Sequence, residues 1–158
     1  MKIAVLADTH IPKKARALPA PAWEILRRSD LLIHAGDILT TEFLDSLREI
    51  LPLYAVLGNN DVGVDLPEKL EIEVEGARLA VIHDSGTAKG RARRMKKLFP
   101  EAEAVIFGHS HIPINSREEG ILLFNPGSAT DKRRQPKHTM GLLEVANGFL
   151  SGTIVELD

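Results

Sequence analysis

Short, nearly all-apolar runs alternate along this chain with segments whose apolar residues recur at helical spacing. Ile3–Ala7, Leu31–Ala35 and Leu53–Leu57 are rich in β-formers, and such runs suit parallel strands buried on both faces. Between them, Pro21–Arg28 and Thr41–Leu51 read as helices, the second placing Phe43, Leu44, Leu47, Ile50 and Leu51 along one face. Lys69–Glu75 then alternates in period two, Glu75-Gly76 turns the chain, and Arg78–Ile82 returns as the other arm of a hairpin. A basic helix over Lys89–Phe99 stops at Pro100, and Ala104–Phe107 is a further buried strand. Ile112–Asn115, Gly120–Phe124, Thr139–Val145 and Leu150–Leu157 read as β, divided by Glu-Glu-Gly and Ala-Asn-Gly turns. This pattern predicts an α/β fold with a largely parallel first half and an antiparallel second half.

The chemistry-bearing residues follow the strands. Asp8 and His10 come after the first run, Asp37 after the second, Asn59 after the third, His83 after Arg78–Ile82, and His109 and His111 after Ala104–Phe107. In open α/β sheets ligands bind at the carboxyl ends of strands, so residues distant in sequence converge there. Asp8/His10 and His109/His111 are i, i+2 pairs, which in extended backbone point to one side and can grip one centre. Gly36, Gly58 and Gly108 each precede a ligand-type residue, where a missing Cβ permits close approach. Singly, each His or Asp reads as ordinary surface, core or turn chemistry. Seven together at strand ends read as a metal site.

The motifs D-x-H (Asp8, His10), G-D (Gly36, Asp37), G-N-N-D (Gly58 to Asp61), V-I-H-D (His83) and G-H-S-H (Gly108 to His111) resemble the calcineurin-like metallophosphoesterase superfamily. Their order and spacing are similar to its small, capless bacterial and archaeal phosphodiesterase branch, and N-P-G-S (Asn125–Ser128) resembles a further loop of that branch. The resemblance implies two mixed β-sheets packed as a sandwich flanked by helices, with a dinuclear centre at the strand ends. It assigns Asp8, His10, Asp37 and His111 to one metal, and Asp37 (bridging), Asn59, His83 and His109 to the other. It implies phosphodiester hydrolysis by a metal-bridging hydroxide, with weak or no phosphomonoesterase activity, and Asp37, Asn59 and His83 acting through that hydroxide. The ligand set of imidazole, carboxylate and amide oxygen does not by itself choose the ion; manganese is the expected metal, with nickel, zinc, iron, cobalt or magnesium as alternatives.

Where many relatives carry a His after the Asn ligand, this chain has Asn60, which cannot act as a general acid; it is assigned to substrate contact or support of the ligands, as is Asp61. Asp84 reads as a turn cap or as a carboxylate orienting His83, His34 as a satisfied core histidine, and His138 as an exposed loop residue. Arg133, in the run Lys132-Arg133-Arg134 after N-P-G-S, is a candidate substrate contact.

Composition narrows the picture further. The 158 residues, without repeat or linker, predict one domain over 1–158, and the spacings of 22, 24 and 26 residues from Asp37 through Asn59 and His83 to His109 leave no room for a cap. Cysteine is absent, which excludes disulfides, thiolate zinc and Cys nucleophiles and fits a cytoplasmic protein. The apolar run before Asp8 is too short for a signal peptide or membrane span. Net charge is −2 with 44% hydrophobic residues, so no global field recruits nucleic acid. Six basic residues between Lys89 and Lys97 keep nucleic acid open as a partner, and hence a nuclease as an alternative, although such a run is usually a solvated face. The expected partner is a small phosphodiester at an open site, with a homo-oligomer as a way of covering it. The competing reading is a protein-binding scaffold on the same fold.

Overall fold

A computed structural model describes all of residues 1–158. The first sheet has the order β10-β9-β1-β2-β3, and the second β4-β5-β6-β8-β7. In chain order the elements are β1 (Lys2–Leu6), α1 (Ala20–Arg27), β2 (Leu31–His34), α2 (Thr41–Arg48), β3 (Leu53–Ala55), β4 (Lys69–Val74) and β5 (Ala77–Ile82). There follow α3 (Arg91–Leu98), β6 (Ala104–Ile106), β7 (Ile114–Glu118), β8 (Ile121–Asn125), β9 (Thr139–Ala146) and β10 (Phe149–Glu156). No helix is long and apolar enough to cross a membrane.

The all-apolar runs are explained by two-sided burial. Ile3 and Val5 of β1 point between the sheets, where they meet Ile33, Leu79, Val81, Ile106, Leu122 and Phe124. Ala4 and Leu6 of the same strand point the other way, against Leu26 of α1 and Phe43, Leu44 and Leu47 of α2. On the opposite side, Ala92 and Met95 of α3 cover Ala80, Val105 and Leu123. The layers are therefore helix, sheet, sheet, helix, the two-sheet sandwich that the family resemblance implies.

Each sheet mixes strand directions. Parallel pairs β1–β2 and β2–β3 in one are matched by β5–β6 and β6–β8 in the other. The expected parallel first half holds for β1–β2–β3, whereas the expected antiparallel second half holds for β7–β8 and β9–β10 but not for β6, which lies parallel to both β5 and β8 because β8 returns beside it through the β7 hairpin. Three two-residue hairpin turns, Glu75-Gly76, Glu119-Gly120 and Asn147-Gly148, have positive φ at both positions, as a type I′ turn requires. α2 ends at Arg48, so Ile50 is 40% exposed instead of lying on the buried face. α3 starts only at Arg91, and Leu98 is 39% exposed.

Phe124 of β8 joins the sheets, its ring lying against Gly141 of β9 and Gly152 of β10. Emptying that space removes a fully buried aromatic, so Phe124→Ala should lower unfolding free energy by about 3–5 kcal/mol in urea titrations; a loss under about 1 kcal/mol would show that the ring does not hold the sandwich together.

Candidate metal centre

The carboxyl ends of strands from both sheets meet along one seam. β1 and β2 lead into Asp8, His10 and Asp37, β3 leads through Val56 and Leu57 to Asn59, and β5 and β6 lead to His83, His109 and His111. Backbone bonds tie the loops together: Asp8 N–H donates to Gly36 O at 2.9 Å, His10 N–H to Asp37 O at 3.0 Å and Gly108 N–H to His83 O at 3.0 Å. The i, i+2 argument does not hold as stated. Asp8, His10, Asp37, His109 and His111 all have positive φ, so the pairs converge through left-handed turns past the strand ends and not through extended backbone. Left-handed backbone costs a non-glycine residue roughly 1–2 kcal/mol, and five ligand-type residues carry it.

Close approach is required at two of the flanking glycines. A Cβ on Gly58 would overlap the Asp37 carboxylate, and one on Gly36, whose φ is +103°, would lie 2.5 Å from His83 Nδ1.

Asp37 Oδ2 lies 3.4 Å from both His10 Nε2 and His83 Nε2. Asp8 Oδ1 lies 3.7, 3.8 and 4.0 Å from His111, His83 and His10 Nε2 respectively. Asn59 Oδ1 is 2.9 Å from His83 Nε2 and 3.3 Å from His109 Nδ1. All seven expected ligands are therefore together; Asp8, His10, Asp37, His83 and His111 are buried, whereas Asn59 and His109 form the exposed rim. Asp8 Oδ1, His10 Nε2 and His111 Nε2 are buried without any hydrogen-bond partner. Buried polar atoms are normally satisfied, and three unpartnered lone-pair donors facing one another fit a divalent cation.

The imidazoles are oriented by backbone. His83 Nδ1 lies 2.7 Å from Ala35 O and His111 Nδ1 at hydrogen-bonding distance from Asp131 O, so each donates there and turns its Nε2 toward the carboxylates. Burial pushes the Asp8 carboxyl up to about 7, with the nearby charge of Asp37 adding to the rise and that of His83 opposing it. Burial raises Asp37 too, but hydrogen bonds from His83 and from the backbone and side-chain amides of Asn60 outweigh it and hold the group well below the usual carboxylate range. Burial lowers His10 and His111, favouring the neutral form. It also lowers His83, yet bonding to Asp37 and the charge of Asp8 bring that residue out raised.

Asn60 donates its N–H to Asp37 Oδ1 at 2.8 Å and its side-chain amide to Oδ2 at 2.9 Å. Asp61 accepts from the N–H groups of Asp37, Leu39 and Gly58 at 3.0, 2.7 and 2.8 Å, which ties the Asp37 turn to the Asn59 turn. Asp84 caps its own turn through Gly86 N–H and does not touch His83. His34, held near 3 by burial, is neutral between Gly36 N–H and the Thr9 hydroxyl. His138 is paired with Asp158 at 2.9 Å.

The basic helix faces inward chemically: Arg94 donates to the carbonyls of Ser85, Thr87 and Lys89, Arg91 to Gly86 O, and Lys96 to Glu119 O. Arg133 instead lines a cleft of about 540 Å³ beside His10 and Asn60. Asp131 is the functional residue the sequence did not reveal. Its main-chain oxygen accepts from His111 Nδ1, a contact that carries no sequence signal, and its carboxylate lies 3.9 Å from the same nitrogen.

A calcineurin-like phosphoesterase superfamily domain matches residues 1–148. A probable metallophosphoesterase of Methanocaldococcus jannaschii is 37% identical over 145 residues, covering 90% of this chain and 75% of that protein. Among solved structures, one described as a novel archaeal phosphodiesterase superposes with TM-score 0.75 at 20% identity over 98% of this chain and all of its own. Vacuolar Protein Sorting 29 from Cryptosporidium parvum superposes with TM-score 0.81 at 18% identity, covering 99% of this chain and 97% of its own. The two solved structures share the fold, while the domain match and the archaeal relative carry the family: this chain belongs to the calcineurin-like phosphoesterase superfamily.

Proposed function

We propose that the chain is a dinuclear-metal phosphodiesterase, with Asp8, His10, Asp37 and His111 holding one divalent ion and Asp37, Asn59, His83 and His109 the other. The observation that carries this reading is the buried, unpartnered trio of Asp8 Oδ1, His10 Nε2 and His111 Nε2. Asp37 is the bridging group, because Oδ2 is equidistant from one histidine of each set. When bound, the ions supply Lewis acidity, acidifying the attacking water and offsetting phosphoryl charge. Manganese leads among nickel, zinc, iron, cobalt and magnesium for a site of nitrogen and oxygen donors.

The protein's own side chains do the rest. Asn60 and Asp61 are positioning residues, the first fixing both oxygens of Asp37 and the second holding the turns that carry Asp37 and Asn59. Arg133 adds a cation near Asp8, His10 and His111. In the net reaction water adds to phosphorus, the bond from phosphorus to one ester oxygen breaks, and the alcohol departs with a proton. A diester is favoured because clefts open on both sides of the ligands, about 540 Å³ beside His10 and about 480 Å³ beside Asn59 and His83, one for each ester arm. The archaeal phosphodiesterase with this fold points the same way. The scaffold reading draws on fold likeness alone, since every ligand position here keeps a competent donor.

Metal-stripped protein reloaded with Mn²⁺ should hydrolyse bis(p-nitrophenyl) phosphate, and Asp37→Ala should lower kcat at least about 100-fold; full activity of that variant, or no hydrolysis with any of the six metals, would overturn the enzyme. With an amide at Asn60 where a histidine could protonate the leaving group, turnover should fall about 10²-fold or more from aryl to alkyl diesters. Equal rates across leaving groups would reveal an acid not identified above.

Asp8 also makes stability depend on pH. Its folded value, about 7, lies above the ordinary 3.8, so its contribution is complete below pH 4 and is lost as pH rises through 7, a change of about 4 kcal/mol. In metal-free protein, Asp8→Asn should therefore gain stability relative to wild type as pH rises from 4 to 8. Thermal melts showing a constant difference would refute this.

A further inference from the structure

The two clefts beside the ligands differ in charge. One is bordered by Lys13, Lys14 and Arg133 against the single carboxylate of Asp131. The other has Glu68 and Asp84 against the single cation of Lys69. The chain's carboxylate-paired arginines lie elsewhere: Arg27 with Glu24, Arg48 with Asp45 and Arg93 with Glu119. Lys13 and Lys14 sit on the loop that follows His10, which Lys14 N–H closes by donating to His10 O at 2.8 Å. Arg133 reaches the cleft from the 126–138 loop with a left-handed φ of 50°, and Thr130 of the same loop donates its hydroxyl to Thr9 O. Two segments far apart in sequence are thus tied together so that three unneutralised cations border the ligand histidines on one side only.

A lone scissile phosphate has no need of this arrangement, because the ligand seam receives it. From the charge asymmetry and the tethered loops, we infer that the Lys13–Lys14–Arg133 cleft is a subsite for a second phosphoryl group on the substrate. The arm of the diester retained after hydrolysis lies there, and the leaving alcohol lies toward Asn59 and Glu68. This inference deepens the phosphodiesterase reading and rests on it. At about 540 Å³ the cleft holds an arm of sugar or nucleoside size. Charge-assisted contacts from two lysines and an arginine give a second phosphate roughly tenfold or more in affinity.

The test compares two esters with the same scissile bond and leaving group, thymidine 5′-(p-nitrophenyl phosphate) and its 3′-phosphorylated form, using the Mn²⁺-loaded protein. The 3′-phosphate should raise kcat/KM about tenfold or more, mainly through KM, and Lys13→Gln/Lys14→Gln should bring the ratio close to one, whereas Lys69→Gln in the opposite cleft should leave it high. Calorimetric titration with thymidine 3′,5′-bisphosphate and thymidine 5′-phosphate supplies a readout without turnover, and the bisphosphate should bind tighter in wild type but not in the double variant. Equal affinities and equal kcat/KM overturn the subsite, as does a ratio lost equally in Lys69→Gln. Preferred cleavage of an unphosphorylated oligonucleotide over the bisphosphorylated probe also overturns it in favour of a nucleic-acid groove. Tight bisphosphate binding that depends on Lys13 and Lys14, without hydrolysis of any diester, sustains the subsite and defeats the phosphodiesterase reading instead.

Discussion

Asp37 is kept charged in a buried place, and much of the structure serves that end. A carboxylate removed from water is costly unless donors surround it. Here the backbone and side-chain amides of Asn60 and the imidazole of His83 do so, with His10 Nε2 3.4 Å away. Asp8, a few ångströms from the same histidines, lacks such support: its Oδ2 accepts from His109 N–H while its Oδ1 has no partner, and its carboxyl rises accordingly. The two carboxylates therefore divide the work, one pre-charged by its donors and the other dependent on a cation for its charge.

The sandwich is what brings the donors to that point. Asp8, His10, Asp37 and Asn59 follow strands of one sheet, while His83, His109 and His111 follow strands of the other. Neither sheet alone holds a complete set, so their relative placement fixes the distance between the donor sets. Side chains far from the chemistry, above all those interleaved between β1, β5, β6 and β8, act on it through that placement. Ser128 closes the arrangement by donating its hydroxyl to Asp8 O at 2.8 Å and accepting from Asp131 N–H at 2.8 Å, so the loop that orients His111 is also fastened to β1.

Much of this was legible in the sequence, for separable reasons. Strand cores were readable because burial on two faces leaves nothing but apolar residues, as at Ile3–Leu6. The convergence of the seven candidate donors was readable because each follows a strand end within a few residues. Backbone conformation was not: nothing in the identities of His10, His109 or His111 announces a positive φ, and the correct convergence was reached from an incorrect picture of extended pairs. The function of the basic helix was equally hidden, because charge count says nothing about partners. Arg94 bonds three carbonyls of the preceding loop, a structural use indistinguishable in sequence from a nucleic-acid arm. Ile50 shows the complementary limit, since helical periodicity placed on the apolar face a residue that lies past the end of α2 and is exposed.

Fold alone does not separate catalysis from scaffolding here, since a protein-sorting component and a phosphodiesterase both superpose on this chain. The energetics of the strand ends bear on what the site holds. Left-handed backbone at five non-glycine residues costs several kcal/mol in total, and the buried, unpartnered Asp8 oxygen adds a penalty of similar order. Neither expense is recovered within the folded chain itself, and replacing Asp8 by a neutral residue would relieve part of it. A bound cation offsets both, because ligand binding to the folded state alone adds stability in proportion to the logarithm of its occupancy. A cation thus accounts for a strained, charged arrangement that the chain alone does not, and under the phosphodiesterase proposed above the two clefts of different charge beside it suit an asymmetric substrate.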